Sequence, residues 1–425
     1  MPVFKPIIKG AGGGGDLITD IETIEVTYGE VITKGDTIYV KSILDVLTAF
    51  KTDYKNIQLD VYDVLRIGYA LEDGAKTTKH NIKTIWKYNP PAITLIKVRS
   101  MGSQDSKVTY EGDTTPNLVS SVDGVFTKYT NSFDYEFPYN KMTEVEDSLG
   151  NKFIKIPPIY FKFYHTGSYL RGFDITNVPT TGFSLFPIQS GEKDLYVGKY
   201  QAYFNGTKME SKTGKTITFN KNIGEYRTAA RANGSGYFAN DWQTWQILQL
   251  LMTAYFGSTN SNDYIPDNAG SEVPTGVMDT FTGKVAYRTT DAKNTFFGIE
   301  NILKNGQHFL DGIAMVGTKV YMGSDYTTYT SAKGADYAQM GTVPASNYIK
   351  EYAGGFGMYP ITTVADQNKY YADYVNSSTS AGPFVVISGS YWTATANYGW
   401  WHWHGGDAFS ITYSSIGSRL IRTLL

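Results

Sequence analysis

Residues 390–413 read Ser390-Tyr-Trp-Thr-Ala-Thr-Ala-Asn-Tyr-Gly-Trp400-Trp-His-Trp-His-Gly-Gly-Asp-Ala-Phe-Ser410-Ile-Thr-Tyr413. This stretch holds four of the seven tryptophans of the chain and two of its five histidines. Tryptophan and tyrosine bury a large area at a small entropy cost and keep a polar tip, so they are common both in cores and at binding hot spots. The stretch is therefore either an aromatic core or a recognition surface.

The order of the aromatic residues predicts how the stretch is divided between these two roles. If residues 400–404 form a strand, successive side chains point to opposite sides. One face, with Trp401 and Trp403, would then pack on the domain, and the other would be displayed. The residues that we expect to be displayed are Tyr398, Trp400, His402 and His404.

Composition limits the class of protein. The chain has 425 residues, of which 41% are hydrophobic and 18% charged, as in a soluble globular protein. The net charge of −2 argues against a sequence-independent nucleic-acid binder, which needs a basic surface. The chain contains no cysteine, which excludes disulfides, thiolate nucleophiles, zinc–thiolate sites and iron–sulfur clusters. No signal-peptide core is visible at the start, so we expect synthesis in a cytoplasm and no membrane insertion.

Glycines, prolines and apolar periodicity outline the first part of the chain. A glycine-rich hinge at 11–15 precedes a predicted hairpin over Ile21–Ile38. Two helices are predicted, over 42–50 and Val61–Leu71. Pro90-Pro91 marks a boundary. We therefore predict an attachment or oligomerisation region at 1–91, a β-rich region at 92–190 and a ligand-binding domain at 191–425.

The clearest strand and helix signals lie beyond this boundary. Residues Lys152–Phe163 predict a pair of strands interrupted by Pro157-Pro158. The clearest helix is Asp241–Phe256, with a cap at Asn240 or Asp241 and an end at Gly257. One face of this helix is predicted to pack in the core, and that face carries Trp242, Trp245, Leu248, Leu251, Met252 and Tyr255. The opposite face carries Gln243, Gln246, Gln249 and Thr253.

Several short stretches between residues 92 and 425, taken in order, resemble one family. The first four are Asn151-Lys-Phe-Ile-Lys-Ile-Pro-Pro-Ile-Tyr-Phe-Lys-Phe163, Asp194-Leu-Tyr-Val-Gly-Lys-Tyr-Gln-Ala-Tyr203, Arg227-Thr-Ala-Ala-Arg-Ala-Asn-Gly-Ser-Gly236 and Asp241-Trp-Gln-Thr-Trp-Gln-Ile-Leu-Gln-Leu-Leu251. The others are Gly298-Ile-Glu-Asn-Ile-Leu-Lys-Asn-Gly306, Phe309-Leu-Asp-Gly-Ile313, Gly389-Ser-Tyr-Trp392 and Gly417-Ser-Arg-Leu-Ile-Arg422. Their order resembles phage tail and tail-fibre proteins whose C-terminal domain has a C-type lectin-like fold of the formylglycine-generating-enzyme type. The variable proteins of diversity-generating retroelements belong to the same wider group.

The resemblance implies an α+β fold: a C-type lectin-like C-terminal domain with few helices and many loops, after a smaller mixed or β-rich N-terminal region. It implies a receptor-binding protein of the virion tail, with other tail proteins and a host-surface protein or glycan as partners. We also expect a homotrimer. The implied ligand-binding residues are Tyr391, Asn397, Tyr398, Trp400, Trp401, His402, Trp403, His404, Asp407, Phe409 and Tyr413. The residue types that adenine-directed diversification favours occur at Asn397, Tyr398, His402, His404, Asp407 and Tyr413.

Residues at the ends of the aromatic run are expected to belong to the scaffold. Trp392 lies in one family motif, and Arg419 and Arg422 lie in another, where we expect them to pair with backbone carbonyls or carboxylates.

The remaining chemical motifs favour recognition over catalysis. The formylglycine-generating activity needs paired cysteines, and the tripeptides of calcium-dependent lectins do not occur here. His402 and His404 could share a metal ion with Asp407, but two histidines beside aromatic rings are the simpler interpretation. We therefore expect no cofactor, no metal and no enzyme activity. A tail-associated glycan hydrolase and a purely structural tail protein stay open as alternatives.

Overall fold

The computed structural model describes residues 96–111, 117–123, 126–264, 272–281, 283–288, 293–380, 382–391 and 398–423, with the backbone of five strands that precede them. The chain divides into two compact units, Met1–Ile93 and Thr94–Leu425. It is a mostly β protein with few helices and several antiparallel sheets. This is a more β-rich architecture than the predicted α+β class.

The first unit contains one five-stranded antiparallel sheet, in the order β1-β2-β5-β4-β3. Its strands are β1 (Lys5–Pro6), β2 (Ile24–Thr27), β3 (Thr37–Lys41), β4 (Val64–Ala70) and β5 (Lys79–Lys83). The helix predicted over Val61–Leu71 is wrong, because this segment pairs on both sides, with β3 and β5. Residues 28–36 of the predicted hairpin over Ile21–Ile38 lie outside the described residues, and β2 at its start pairs with β1 and β5. The helix predicted over 42–50 lies outside the described residues.

Several small sheets form the frame of the second unit. One has the order β10-β11-β14-β30-β17, a second β12-β13-β6-β7, and a third β20-β19-β18-β9-β8, while β15 pairs with β16. The strands before residue 180 are β6 (Ile96–Arg99), β7 (Thr109–Tyr110), β8 (Val119–Asp123), β9 (Phe126–Thr130), β10 (Thr143–Glu146), β11 (Lys152–Ile156), β12 (Tyr160–Thr166) and β13 (Tyr169–Thr176). The later ones are β14 (Leu195–Gln201), β15 (Tyr203–Phe204), β16 (Met209–Glu210), β17 (Tyr237–Ala239), β18 (Val285–Arg288), β19 (Asn294–Phe296), β20 (Ile299–Glu300) and β30 (Arg419–Thr423).

The pairing of these strands joins distant parts of the sequence. The two strands predicted within Lys152–Phe163 are present as β11 and β12, but they belong to different sheets. Antiparallel pairing of β11 with β14 and of β14 with β30 brings residues from both sides of position 190 into one sheet. Residues 94–190 and 191–425 therefore form one compact unit.

The largest sheet carries the C-terminal aromatic run. Its eight-strand path runs β23-β22-β21-β27-β28-β26-β24-β25, and β29 pairs with β21 from outside this path. The path is nearly closed into a barrel-like form, with Tyr359 of the last strand donating to the carbonyl of Met340 in the first at 3.2 Å. The strands are β21 (Gln307–Val316), β22 (Lys319–Met322), β23 (Ala338–Thr342), β24 (Asn347–Ala353), β25 (Tyr359–Val364), β26 (Tyr374–Ser377), β27 (Pro383–Ser388), β28 (Trp403–Ala408) and β29 (Ile416–Gly417).

Two α-helices lie within the described residues, α1 (Ile223–Arg231) and α2 (Trp242–Phe256). The bounds of α2 confirm the predicted helix. Asp241 caps it by accepting from the Thr244 amide at 2.8 Å, and Gly257 ends it with a left-handed φ of 71°. Short 3-10 helices are Ser132–Tyr135, Tyr139–Lys141, Pro187–Gln189 and Ser261–Asp263.

The polar face of α2 is buried like its apolar face, which the sequence pattern did not predict. Each glutamine of that face bonds to the backbone of a neighbouring loop, as buried polar groups must. Gln243 donates to the carbonyl of Ser324 at 3.0 Å, and Gln246 to that of Met358 at 2.7 Å. The helix therefore lies at the centre of the unit, with irregular chain held against its polar side.

Candidate functional site

Three of the four tryptophans of the aromatic run, Trp400, Trp401 and Trp403, form part of the core. Trp400 and Trp401 are both 0% exposed, and Trp403 is 4% exposed. Trp400 stacks on Phe256 of α2, with ring centroids 5.5 Å apart. Trp401 donates from Nε1 to Thr253 Oγ1 at 3.2 Å, so α2 fixes both rings. The expectation that Trp400 is displayed is wrong, because residues 400–402 form a turn and β28 begins only at Trp403.

His402 is also buried, at 1% exposure, which corrects its predicted display. Its Nδ1 lies 2.8 Å from the carbonyl oxygen of Tyr374, to which it donates. Its own carbonyl accepts from Ser388 Oγ at 2.5 Å. Phe409 is 8% exposed, so this member of the predicted set is largely buried too. Burial at these positions supplies a rigid base for the side chains that do reach the surface.

The surface side chains come from three neighbouring strands and from the segment before β28. Tyr348 is paired with Tyr374, and Asn376 with His404, in the registers of β24 with β26 and of β26 with β28. Paired residues share a face of a sheet, and so do residues two apart on a strand. Val375, between Tyr374 and Asn376, points into the core at 0% exposure. We define the tyrosine–histidine face as Tyr348, Tyr374, Asn376, Tyr391, Tyr398, His404, Asp407 and Tyr413.

A β-bulge brings His404 and Asp407 together on this face. Val385 is paired with Asp407 and Ile387 with His404, so β28 has one residue more than β27 between these two pairs. The extra residue reverses the alternation, which otherwise sends residues three apart to opposite faces. His404 Nε2 and Asp407 Oδ2 lie 3.0 Å apart, and the Tyr413 hydroxyl is 3.4 Å from Asp407 Oδ1. The hydrogen bond from His404 is the main cause that lowers the pKa of Asp407.

Tyr391 and Tyr398 stand at the two ends of the segment 392–397. Their rings meet edge to face, with centroids 5.7 Å apart, and Tyr398 also lies 4.4 Å from the ring of His402. Burial raises the pKa of the Tyr398 phenol, so it is a neutral hydrogen-bonding group at physiological pH. Two other predicted residues, Asn397 and Trp392, lie outside the described residues.

Apart from Asn397, which lies outside the described residues, the predicted ligand-binding residues divide into two groups. Those that reach the surface are Tyr391, Tyr398, His404, Asp407 and Tyr413. Those that are buried are Trp400, Trp401, His402, Trp403 and Phe409. Sequence reasoning missed Tyr348, Tyr374 and Asn376, which lie well before the aromatic run. The alternation of polar and apolar residues at 374–376 was the available signal for a half-buried strand.

Arg419, on β30 of the frame, pairs with backbone carbonyls as predicted, whereas Arg422 packs against an aromatic ring. Arg419 is 2% exposed and donates to the carbonyl oxygens of Gly198, Lys199 and Glu300 at 2.7–2.9 Å. Burial lowers the pKa of its guanidinium to about 9. The Arg422 guanidinium lies 5.1 Å from the centre of the Tyr237 ring, a cation–π distance.

The arrangement is suited to non-covalent binding. Phenol hydroxyls, an amide, an imidazole and a carboxylate alternate with aromatic ring surface over the tyrosine–histidine face, which allows stacking and hydrogen bonding together. Within the described residues, no group of three histidine, aspartate or glutamate side chains could hold a metal ion. In the same part of the chain, no helix is long and apolar enough to cross a bilayer.

No protein-family model matches this chain, and no curated protein matches it either. The resemblance to phage tail proteins therefore stays a prediction.

Proposed function

We propose that this chain is a receptor-binding protein of a phage tail that recognises a host-surface ligand through the tyrosine–histidine face. The observation that carries the proposal is the gathering of five tyrosines, a histidine, an asparagine and an aspartate around β24, β26 and β28, all half-buried except the exposed Tyr413. Tyrosine supplies large contact area with few rotatable bonds, so its ordering on binding costs little entropy.

Rigidity beneath the face supports a binding role. The carbonyl of Trp400 accepts from Gln249 Nε2 at 2.5 Å and from Trp245 Nε1 at 3.2 Å. The amide of Trp401 donates to the buried carboxylate of Asp373 at 2.8 Å. A face held in place by packed side chains loses less conformational freedom on binding than a mobile loop, and this favours affinity.

We also propose the finer points that the resemblance implies. These are a C-type lectin-like fold for the C-terminal part, a homotrimer, and display on the virion tail. Three copies on one fibre, and several fibres on a particle, would multiply weak individual sites through avidity. The order of the family-like stretches supports the fold. If the face is diversified, a reverse transcriptase gene and a near-identical template repeat should adjoin the gene for this chain. Sequencing of the surrounding genome tests this.

Competition for adsorption tests the proposed function. The purified full-length chain, added in excess to host cells, should reduce adsorption of the phage that encodes it, because the free protein occupies the receptors. Adsorption that stays unchanged at saturating protein would contradict a receptor-binding role and would favour the purely structural alternative. Release of reducing sugars from host polysaccharide in the same mixture would instead indicate the glycan hydrolase.

A further inference from the structure

A cleft of about 470 Å³ lies at the C-terminal end of β28, apart from the tyrosine–histidine face. This volume is in the usual range of small-molecule sites, about 300 to 1,000 Å³. The chain segments that line it are the start of α1, the loop at 331, the start of β27 and the end of β28 with the turn after it. Phe409 is the member of the predicted ligand-binding set that lines this cleft.

One wall of the cleft is apolar and aromatic. Pro383, Phe384 and Phe409 form it, and the two phenylalanines are 9% and 8% exposed. Both rings belong to the cores beneath the cleft, so they are held in place and present only part of their surface. Such a wall suits the packing of a flat, weakly polar ring face.

A second wall carries hydrogen-bond donors. Asn222 uses Oδ1 to cap α1, accepting from the Glu225 amide at 3.0 Å, and this leaves its side-chain N–H groups for another partner. Ser331 Oγ accepts from Arg227 Nη1 at 2.9 Å, so the hydroxyl proton of Ser331 is directed elsewhere. Arg227 itself is fixed by two bonds to Asp311, at 2.8 and 2.6 Å. The Ser331 hydroxyl is thus held by a rigid ion pair.

The side chains that line the cleft carry no formal charge. A charged ligand would find no opposite charge in this lining. A neutral ligand with one apolar face and several oxygen acceptors fits both walls, and a pyranose ring is such a ligand. We propose that this cleft is a second binding site, specific for a neutral sugar ring. The proposal goes beyond the receptor-binding function of the tyrosine–histidine face, and each of the two can fail alone.

The test uses saturation-transfer NMR on the full-length chain with neutral mono- and oligosaccharides derived from starch, cellulose and chitin. At least one series should bind and receive saturation on its ring C–H protons. The variant Ala408→Arg replaces an exposed alanine of the cleft wall with a long side chain that fills the cleft. This variant should weaken sugar binding about tenfold or more. Ala338→Arg places the same side chain at an exposed alanine of β23 in the same sheet and should leave binding unchanged.

Ser410→Trp blocks the cleft from the exposed turn after β28 and replaces Ala408→Arg if that variant fails to fold. Sugar binding that survives both blocking variants would overturn the proposal. So would the lack of binding by the parent chain to every sugar of the set. Aromatic dipeptides are tested in parallel. If the parent chain binds a dipeptide but no sugar, and Ala408→Arg abolishes the dipeptide binding, the cleft would instead be a site for a protein side chain. Adsorption competition by Ala408→Arg shows whether the receptor-binding function is intact.

Discussion

Asp241 shows how one buried residue links the local cap of α2 to the pH dependence of stability. It is 0% exposed, and its carboxylate accepts from the Thr244 amide at 2.8 Å and from the Tyr329 hydroxyl at 3.1 Å. Burial nevertheless raises the pKa of this carboxyl to about 7. The folded chain therefore keeps a proton on Asp241 at a pH where the unfolded chain has lost it.

The contribution of Asp241 to the free energy of unfolding should consequently fall between about pH 4 and pH 7 and level off above that range, because this carboxyl binds an extra proton in the folded state only there. Buried His308, whose pKa burial lowers, contributes in the opposite direction in both the parent and the variant. Asp241→Asn keeps a good helix cap and should make this fall shallower. Urea unfolding at a series of pH values measures the slope of the unfolding free energy against pH. Glu300, whose burial also raises its pKa to about 7, should account for part of the slope that remains. A slope in Asp241→Asn equal to that of the parent would refute the assignment of this pH dependence to Asp241.

For single residues, the sequence predicted membership of the tyrosine–histidine face better than it predicted the direction in which each side chain points. The aromatic character of residues 390–413 singled out five residues of the tyrosine–histidine face. It misplaced Trp400 and His402 because strict alternation was assumed where a turn precedes β28. A bulge is set by pairing with a distant strand, so the meeting of His404 with Asp407 could not be predicted from local sequence.

Among the secondary-structure elements, helix α2 shows most clearly what the local sequence can and cannot predict. Its ends follow from local chemistry, an aspartate that caps and a glycine that adopts a left-handed conformation, and both were predicted. Its glutamine face could not be predicted, since polar residues at helical spacing ordinarily face solvent. Here they satisfy buried backbone groups of loops that come from distant sequence.

Gln246 offers the sharpest test of this arrangement. Its Oε1 accepts from the amides of Gly357 and Met358 at 3.2 and 3.0 Å, and its Nε2 donates to the Met358 carbonyl at 2.7 Å. Gln246→Leu should lower the free energy of unfolding by at least about 2 kcal/mol, because buried polar groups lose their partners. Gln339→Leu, at an exposed glutamine of β23, should change it by less than about 0.5 kcal/mol. If urea titrations give Gln246→Leu no larger a loss of unfolding free energy than Gln339→Leu, the hydrogen bonds of the α2 glutamine do not stabilise the fold.

At the scale of the whole molecule, strand pairing over long sequence separations builds both the frame and the candidate site. The C-terminal strand β30 pairs with β14 and β17, so the chain end completes a sheet begun more than two hundred residues earlier. The sequence predicted many short strands but not which of them pair. Tyr348, Tyr374 and Asn376 were missed for this reason, since only the pairing of β24, β26 and β28 brings them to the aromatic run.

The binding of labelled full-length chain to host cells shows whether the tyrosine–histidine face contacts the host ligand. The triple variant Tyr374→Ala, Tyr398→Ala, His404→Ala removes three partly exposed side chains of the face. The matched control, Tyr169→Ala, Tyr203→Ala, His165→Ala, removes two half-buried tyrosines and an exposed histidine elsewhere. We predict that the face variant, with a melting temperature close to that of the control, binds at least about a hundredfold more weakly, while the control binds like the parent. Equal binding by the two variants would contradict the claim.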